Sequence, residues 1–244
     1  MVLRALLIFL ALALASGAAQ AEPSCKAMSF EGANYTVCSF DPGTDHLALY
    51  NLDGNGQPYG DFSALRDGLK AAGKTLSFAM NAGMYDDNLK PIGLYVEEGK
   101  QARKINRRGG GGNFHLKPNG VFYIKGDTAG VMETEAFVKA GLKPDFATQS
   151  GPMLVIDGKI HPKFSAAGTS YKRRNGVGVD AAGHVVFAIS EGAVNFHGFA
   201  KLFRDGLSCR NALFFDGSVS SLYSSELGRN DGFLPLGPMV GLAK

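Results

Sequence analysis

The sequence predicts an α+β fold: one domain built on a large, mainly antiparallel, twisted β-sheet system with a few covering helices. Three observations predict it. Glycine stands at 33 of 244 residues, about twice the ~7 per cent of average usage. It follows no G-X-Y period, so it marks turns, which are dense in strand-rich chains. Short apolar runs ending in Gly turns recur along the chain, whereas apolar residues at helical spacing occupy only three stretches. Hydrophobic residues make up 45% and charged residues 19%, enough for a core and unlike a disordered tail, a coiled coil or a small disulfide-stapled module. The formal net charge of +3 is too small to suggest a nucleic-acid partner, which needs a clustered basic face.

Met1 to Ala21 reads as a secretory signal: Arg4 opens it, Ala5 to Ala15 is apolar, and Ala19-Gln20-Ala21 has the small-x-small cleavage pattern. The apolar stretch is shorter than the ~20 residues of a membrane span, so no stable span is expected after cleavage and the product is periplasmic or secreted. Residues 22–244 then form the domain. In an oxidising compartment Cys25 and Cys38 are expected to pair, leaving Cys209 as a buried thiol, although pairing of Cys209 with either remains open. Helices are expected over 62–72, 133–140 and 197–207.

Two helix-then-strand units resemble each other. Phe62 to Leu69 precedes Leu76-Ser-Phe-Ala-Met80 and the turn Asn81-Ala-Gly83; Phe199 to Leu207 precedes Ala212-Leu-Phe-Phe215 and Asp216-Gly217. Both carry Arg-Asp-Gly-Leu in register. A weaker likeness links the hairpin regions 93–124 and 153–189, so the sequence leaves an internal pseudo-repeat open. Between them, Arg107-Arg108 and the run Gly109 to Gly112 read as a mobile loop.

The chemistry-bearing candidates sit where apolar strands end. Asp216 follows Leu213-Phe-Phe215 and precedes Gly217, Ser218, Val219, Ser220 and Ser221, so a carboxylate on a rigid strand end meets a turn of small donors. Glu191 ends Val185 to Ile189 in the same manner, with Asn195 following. Arg174 closes the run Tyr171-Lys-Arg-Arg before Gly176-Val-Gly-Val179 and offers a planar fork for phosphate. His115 alternates with Lys117 along a strand face. The chain has no Gly-x-Ser-x-Gly elbow, Walker loop, dinucleotide fingerprint or His-Glu-x-x-His. No cofactor is implied and no dense Asp/His cluster implies a metal, Asp86-Asp87 being the one acidic pair considered for calcium.

The segments MNAGMY (80–85), PIGLYVEEGK (91–100), SGPMLVIDGK (150–159), RRNGVGVD (173–180), VVFAISEG (185–192) and LFFDGSVSSLY (213–223) resemble the phosphodiester glycosidases in order and spacing. The resemblance covers about residues 76 to 241. It implies that Asn81, Arg174, Glu191 and Asp216 line one active site; Gly83, His115, Asn195, Gly217, Ser218, Ser220 and Ser221 are the further residues expected to bind substrate. It also implies hydrolysis of a sugar-1-phosphodiester or phosphoglycan. Two departures bear on the sugar: animal members have a longer glycine run after the last Asp, and they carry Asp where Glu191 stands.

Such a reaction expels a phosphate anion, a weak base that leaves without prior protonation, so it depends less on a dedicated acid than ordinary glycosidases do. It needs a carboxylate at the oxocarbenium-like centre or on water, and a cation for the phosphate. Asp216 and Glu191 are expected in the first role and Arg174 in the second. The alternative reading is a non-catalytic periplasmic carbohydrate-binding or exopolysaccharide-accessory protein.

Overall fold

The computed structural model describes residues 24–232 and 234–244, so the expected signal over 1–21 lies outside the described residues. The chain opens with β1 (Cys25–Phe30), β2 (Ala33–Phe40), β3 (Leu47–Tyr50), α1 (Phe62–Ala71) and β4 (Leu76–Asn81). It continues through β5 (Tyr95–Glu97), β6 (Lys100–Arg103), β7 (Gly120–Lys125), β8 (Thr128–Glu133), α2 (Thr134–Ala140) and β9 (Phe146–Ser150). Next come β10 (Met153–Ile156), β11 (Lys159–Ile160), β12 (Asn175–Val179), β13 (Val185–Ser190), α3 (Phe196–Lys201) and β14 (Asn211–Phe214). The last strands are β15 (Leu222–Ser224), β16 (Arg229–Asn230) and β17 (Met239–Ala243). The third helix is shorter than expected, because Leu202–Gly206 widens into a π turn.

The strands form three sheets with antiparallel neighbours, and all three share one wiring. Their orders are β6-β5-β9-β7-β8, β11-β10-β14-β12-β13 (extended by β2-β1) and β16-β15-β4-β17-β3. In each, an edge hairpin is followed by the strand that leaves a helix, and then by two further strands. The pseudo-repeat of the sequence is thus threefold. The likeness of α1–β4 to α3–β14 is two thirds of it, and α2–β9 is the third copy, with Gly141-Leu142 standing where Gly68-Leu69 and Gly206-Leu207 stand. The third sheet takes β15–β17 from the C-terminal end of the chain and β3–β4 from the N-terminal part.

Period-two alternation divides each sheet between a shared core and a private one. Phe78 and Met80 of β4, Phe122 and Ile124 of β7, and Leu213 with the following Phe215 turn into one central core enclosed by the three sheets. The opposite faces are covered by the helices. Phe62, Leu65 and Leu69 of α1 lie on Ala79; Phe137 of α2 packs with Val121 and Ala147; Phe199 and Phe203 pack with Ala212 and Phe214. Fully burying each such aromatic or leucine contributes about 1.5–3 kcal/mol. Cys25 and Cys38 face each other across β1 and β2 and are joined as a disulfide. By the chain-entropy model closing so short a loop stabilises by about 3 kcal/mol. Cys209 is free and buried, and burial pushes its thiol up to about 12. Among the described residues no helix is long and apolar enough to cross a membrane.

Candidate active site

The site lies where strand ends of two sheets meet. β12 runs antiparallel to both β13 and β14, so its start lies beside their ends. Ala188 and Phe214 both face Gly176, so β13 and β14 stand two inter-strand spacings apart, roughly 10 Å. Glu191 and Asp216 therefore emerge at one end of one sheet with Arg173 and Arg174 between them. The end of β4 closes the seam: Asp216 N donates to Ala82 O (3.3 Å).

Asn81 and Asn175 hold this seam together. Asn81 Oδ1 accepts from Ser221 N (2.9 Å) and Asn175 Nδ2 (3.0 Å), while Asn81 Nδ2 donates to Asp216 O (2.9 Å). Ser220 Oγ donates to Asn175 Oδ1 (3.2 Å). Both asparagines are buried, and a buried polar network is stabilising only when its members are satisfied. Asn81 is expected from the sequence to bind substrate; in the structure its amide instead fixes the Asp216 and Ser221 backbones. Ser221 Oγ likewise donates to Val219 O (2.7 Å), and Ser218 is the exposed serine of the turn.

Asp216 is half-buried, and its Oδ1 accepts from Ser218 N (3.1 Å). Burial raises its carboxyl above the ordinary value, against the lowering effect of the Ser218 hydrogen bonds. Tyr85, absent from the sequence-based candidates, lies close enough that burial and the Asp216 charge together push its phenol up to about 12. Tyr85 donates its hydroxyl to Pro235 O (2.6 Å).

Glu191 has the opposite surroundings. Its Oε1 accepts from Thr36 Oγ1 (2.6 Å) and Arg229 Nη1 (2.6 Å), and Arg173 Nη2 stands 3.6 Å from Oε2. Partial burial would raise this carboxyl, but the hydrogen bonds from Arg229 and Thr36 and the two nearby guanidinium charges bring it below its ordinary value. Asp231 completes the lattice, accepting from Arg173 Nη2 (3.1 Å), Arg229 Nη2 (2.9 Å) and Leu222 N (3.1 Å). Thr36, Arg229 and Asp231 lie far from Glu191 in sequence and carry no local motif, so sequence reasoning missed them.

The two adjacent arginines divide sharply. Arg174, the expected phosphate cation, is 1% exposed. Its guanidinium lies 3.5 Å from the centre of the Phe196 ring and donates to Val194 O (2.9 Å) and Ser170 O (2.7 Å). Burial lowers it to about 10. Arg173 instead faces the acids and lines a cleft of about 170 Å³ with residues 217–221 and Leu234. Successive residues entering a strand point to opposite sides, so only one of the pair can do each task.

The remaining candidates have local structural partners. Asn195 caps α3, its Oδ1 accepting from Gly198 N (2.8 Å) and its Nδ2 donating to Ala166 O and Gly168 O (3.2 Å each). His115 Nδ1 lies 3.1 Å from Arg108 O, in the loop after β6 rather than among the acids. A Cβ on Gly83 would come within 2.2 Å of Thr148 Oγ1, and one on Gly217 within 2.5 Å of the Phe214 ring. These glycines permit close packing behind the site. Asp86 Oδ1 accepts from Asn88 N (2.9 Å) within a turn, and no group of three or more metal-ligating side chains occurs among the described residues.

Residues 74–233 match the family model described as phosphodiester glycosidase. The chain is 38% identical over 216 residues to the uncharacterized protein YigE of Escherichia coli, covering 88% of this chain and 84% of that one. Its fold resembles the catalytic domain of zebrafish N-acetylglucosamine-1-phosphodiester α-N-acetylglucosaminidase, auto-inhibited there by its pro-peptide. That match has a TM-score of 0.63 at 14% identity and covers 91% of this chain and 84% of that one. A hypothetical protein from Synechocystis matches with a TM-score of 0.56 at 15% identity, over 90% of this chain and 61% of the other.

Proposed function

The chain belongs to the phosphodiester glycosidase family, and from that premise we propose that it is an exported hydrolase cleaving the glycosidic bond of a sugar-1-phosphodiester in an envelope or extracellular glycan. The observation that carries this reading is Asp216: a half-buried carboxylate, raised by burial, on a rigid strand end beside an arginine- and serine-lined cleft. Water adds to the anomeric carbon, the bond from that carbon to the phosphate oxygen breaks, and the electron pair leaves with a phosphate monoester. Asp216 takes the proton of the attacking water, its raised basicity suiting it to that task. Arg173 and the Ser218 region bind the phosphate, whose growing charge they stabilise in a site preset by hydrogen bonds. Glu191 has both oxygens beside arginines, which suits it to orient Arg173 and Arg229 rather than to transfer protons. The Cys25–Cys38 disulfide supports an oxidising compartment.

The test is release of reducing sugar from a synthetic sugar-1-phosphodiester. Asp216→Asn is expected to lower kcat by about 10³-fold, within the range for losing a general base, while the diester still binds saturably. Turnover undiminished in that variant would overturn the assignment. Saturable binding with no sugar released by the unaltered protein would establish the accessory reading instead.

A further inference from the structure

We propose that residues 103–108 form a preorganised anion-binding ledge beside the catalytic cleft, fitted to the repeating phosphates of a glycan linked through sugar-1-phosphodiesters; the choice of polymer rests on the hydrolase reading above. The modest net charge conceals a segregation. From Lys100 to Lys125 the chain carries seven basic residues and no acidic one, while 18 basic and 22 acidic residues lie elsewhere. Arg103, Lys104, Arg107 and Arg108 are all exposed. Arg107 is held by Glu135, with Nε 2.9 Å from Oε1. Among the described residues, Arg103, Lys104 and Arg108 lie within 4.0 Å of no carboxylate.

The segment is pinned at its middle. Gln149 of β9, 1% exposed, accepts from Asn106 N (2.8 Å) and donates to Asn106 O (2.8 Å). Asn106 Nδ2 donates to Ile92 O (2.9 Å), and its Oδ1 accepts from Arg108 N (3.0 Å). Around this anchor, Ile92 and residues 102–108 line a cleft of about 390 Å³. Basic residues on an exposed edge strand discourage strand pairing, which accounts for Lys100 and Arg103 on β6. Lys104 and Arg108 lie past the strand end, on a loop whose backbone is tied to Gln149 and Ile92 through Asn106, and such preorganisation lowers the cost of binding.

The ledge also adjoins the site. Ile92, which lines the ledge cleft, donates its N to Met84 O (3.1 Å), and the adjacent half-buried Tyr85 lies close enough to Asp216 to feel its charge. A polymer whose scissile phosphate sits by Arg173 can therefore lay neighbouring phosphates along residues 103–108.

The test uses the Asp216→Asn chain with and without the triple change Arg103→Gln, Lys104→Gln and Arg108→Gln. The probes are a fluorescent poly(hexose-1-phosphate) oligomer, neutral dextran and a single-stranded oligonucleotide of equal phosphate number. The triple variant is expected to bind the oligomer at least about 10-fold more weakly at low salt. The slope of log affinity against log salt should shrink by about 2, since each phosphate of a single strand that goes unneutralised removes about 0.7. In the chain with Asp216 intact, the triple change should leave hydrolysis of a small diester within about twofold. Unchanged affinity and slope would overturn the ledge, as would an equal loss of dextran binding. Tighter binding of the oligonucleotide than of the oligomer would overturn the assignment to a phosphoglycan. Absence of small-diester hydrolysis, with the oligomer still held in the expected salt-dependent way, would remove the hydrolase reading and leave the ledge standing.

Discussion

Glu191 and Asp216 end two strands of one sheet, each beside a glycine, yet their surroundings drive them in opposite directions. Glu191 is clasped by Thr36, Arg229 and Arg173, which bring its carboxyl below its ordinary value. Asp216 is drawn into the seam between sheets, and burial raises it. The first is an electrostatic anchor that holds charge in place. The second is a carboxylate held at some cost in stability, as expected where a scaffold sustains a reactive group. Environment, rather than residue type or position at a strand end, separates the acid suited to support from the acid proposed to react.

The largest expected effect on this comparison is the ~10³-fold fall in kcat for Asp216→Asn, because the neighbouring carboxylates, Glu191 and Asp231, are both engaged by Arg173 and Arg229. Next comes the contrast between the two arginines. Arg173→Ala should lower kcat/KM by about 10²-fold with little change in thermal stability, as for removal of one preset charge. Arg174→Ala should do the reverse. Removing a fully enclosed side chain between Phe196 and Phe214 should cost about 3 kcal/mol of stability and leave kcat/KM of the folded protein within about fivefold. Equal kinetic losses in both variants would erase the distinction.

The smallest effects are in the pH dependence of stability. Asp216 has a folded value above its ordinary 3.8, so the unfolded chain releases that proton more readily. The resulting destabilisation is absent below the ordinary value and complete above the raised one. Asp216→Asn should therefore melt higher than the unaltered protein at pH 7, with the gain vanishing towards pH 3. Glu191 has a folded value below its ordinary 4.5. Its stabilisation is present above that value and is lost as pH falls through the lowered one. Glu191→Gln should melt lower at pH 7, and the difference should close in acid. Melting curves across that range check both signs, and parallel behaviour of the two variants would contradict the opposed environments.

Much of the fold is legible in the sequence because its signals are local. Apolar runs ending at Asn81, Glu191 and Asp216 mark buried strand ends, and Phe62, Leu65 and Leu69 at helical spacing mark α1. The third copy of the helix–strand unit is harder to see. Lys139-Ala140-Gly141-Leu142 lacks the Arg-Asp of the other two, and only the shared strand order makes the three equivalent. Within the site, Asp216 is visible from its strand and turn. Asn195 reads as a ligand in the sequence, although the same residue type at a helix start serves as a cap, and a cap is what it forms.

By itself, the sequence determined the α+β class and the strand-end positions of the acids, from period and turn spacing along neighbouring residues, and the family, from a resemblance of motifs in order and spacing. It made Cys25 and Cys38 the expected pair while leaving Cys209 open, and the structure joins those two. Only the tertiary structure decided that the N-terminal strands β3 and β4 join the C-terminal β15–β17 in the third sheet, and that Arg173 rather than Arg174 faces the cleft. It alone brought Thr36, Arg229 and Asp231 to Glu191, and showed the basic loop after β6 to be pinned by Gln149, whose carbonyl packs at Gly83 just past the end of β4. The reason is common to all of these. Which side of a strand faces the cleft, and which charges meet across it, depend on pairing between segments up to nearly two hundred residues apart, and no local pattern encodes that distance.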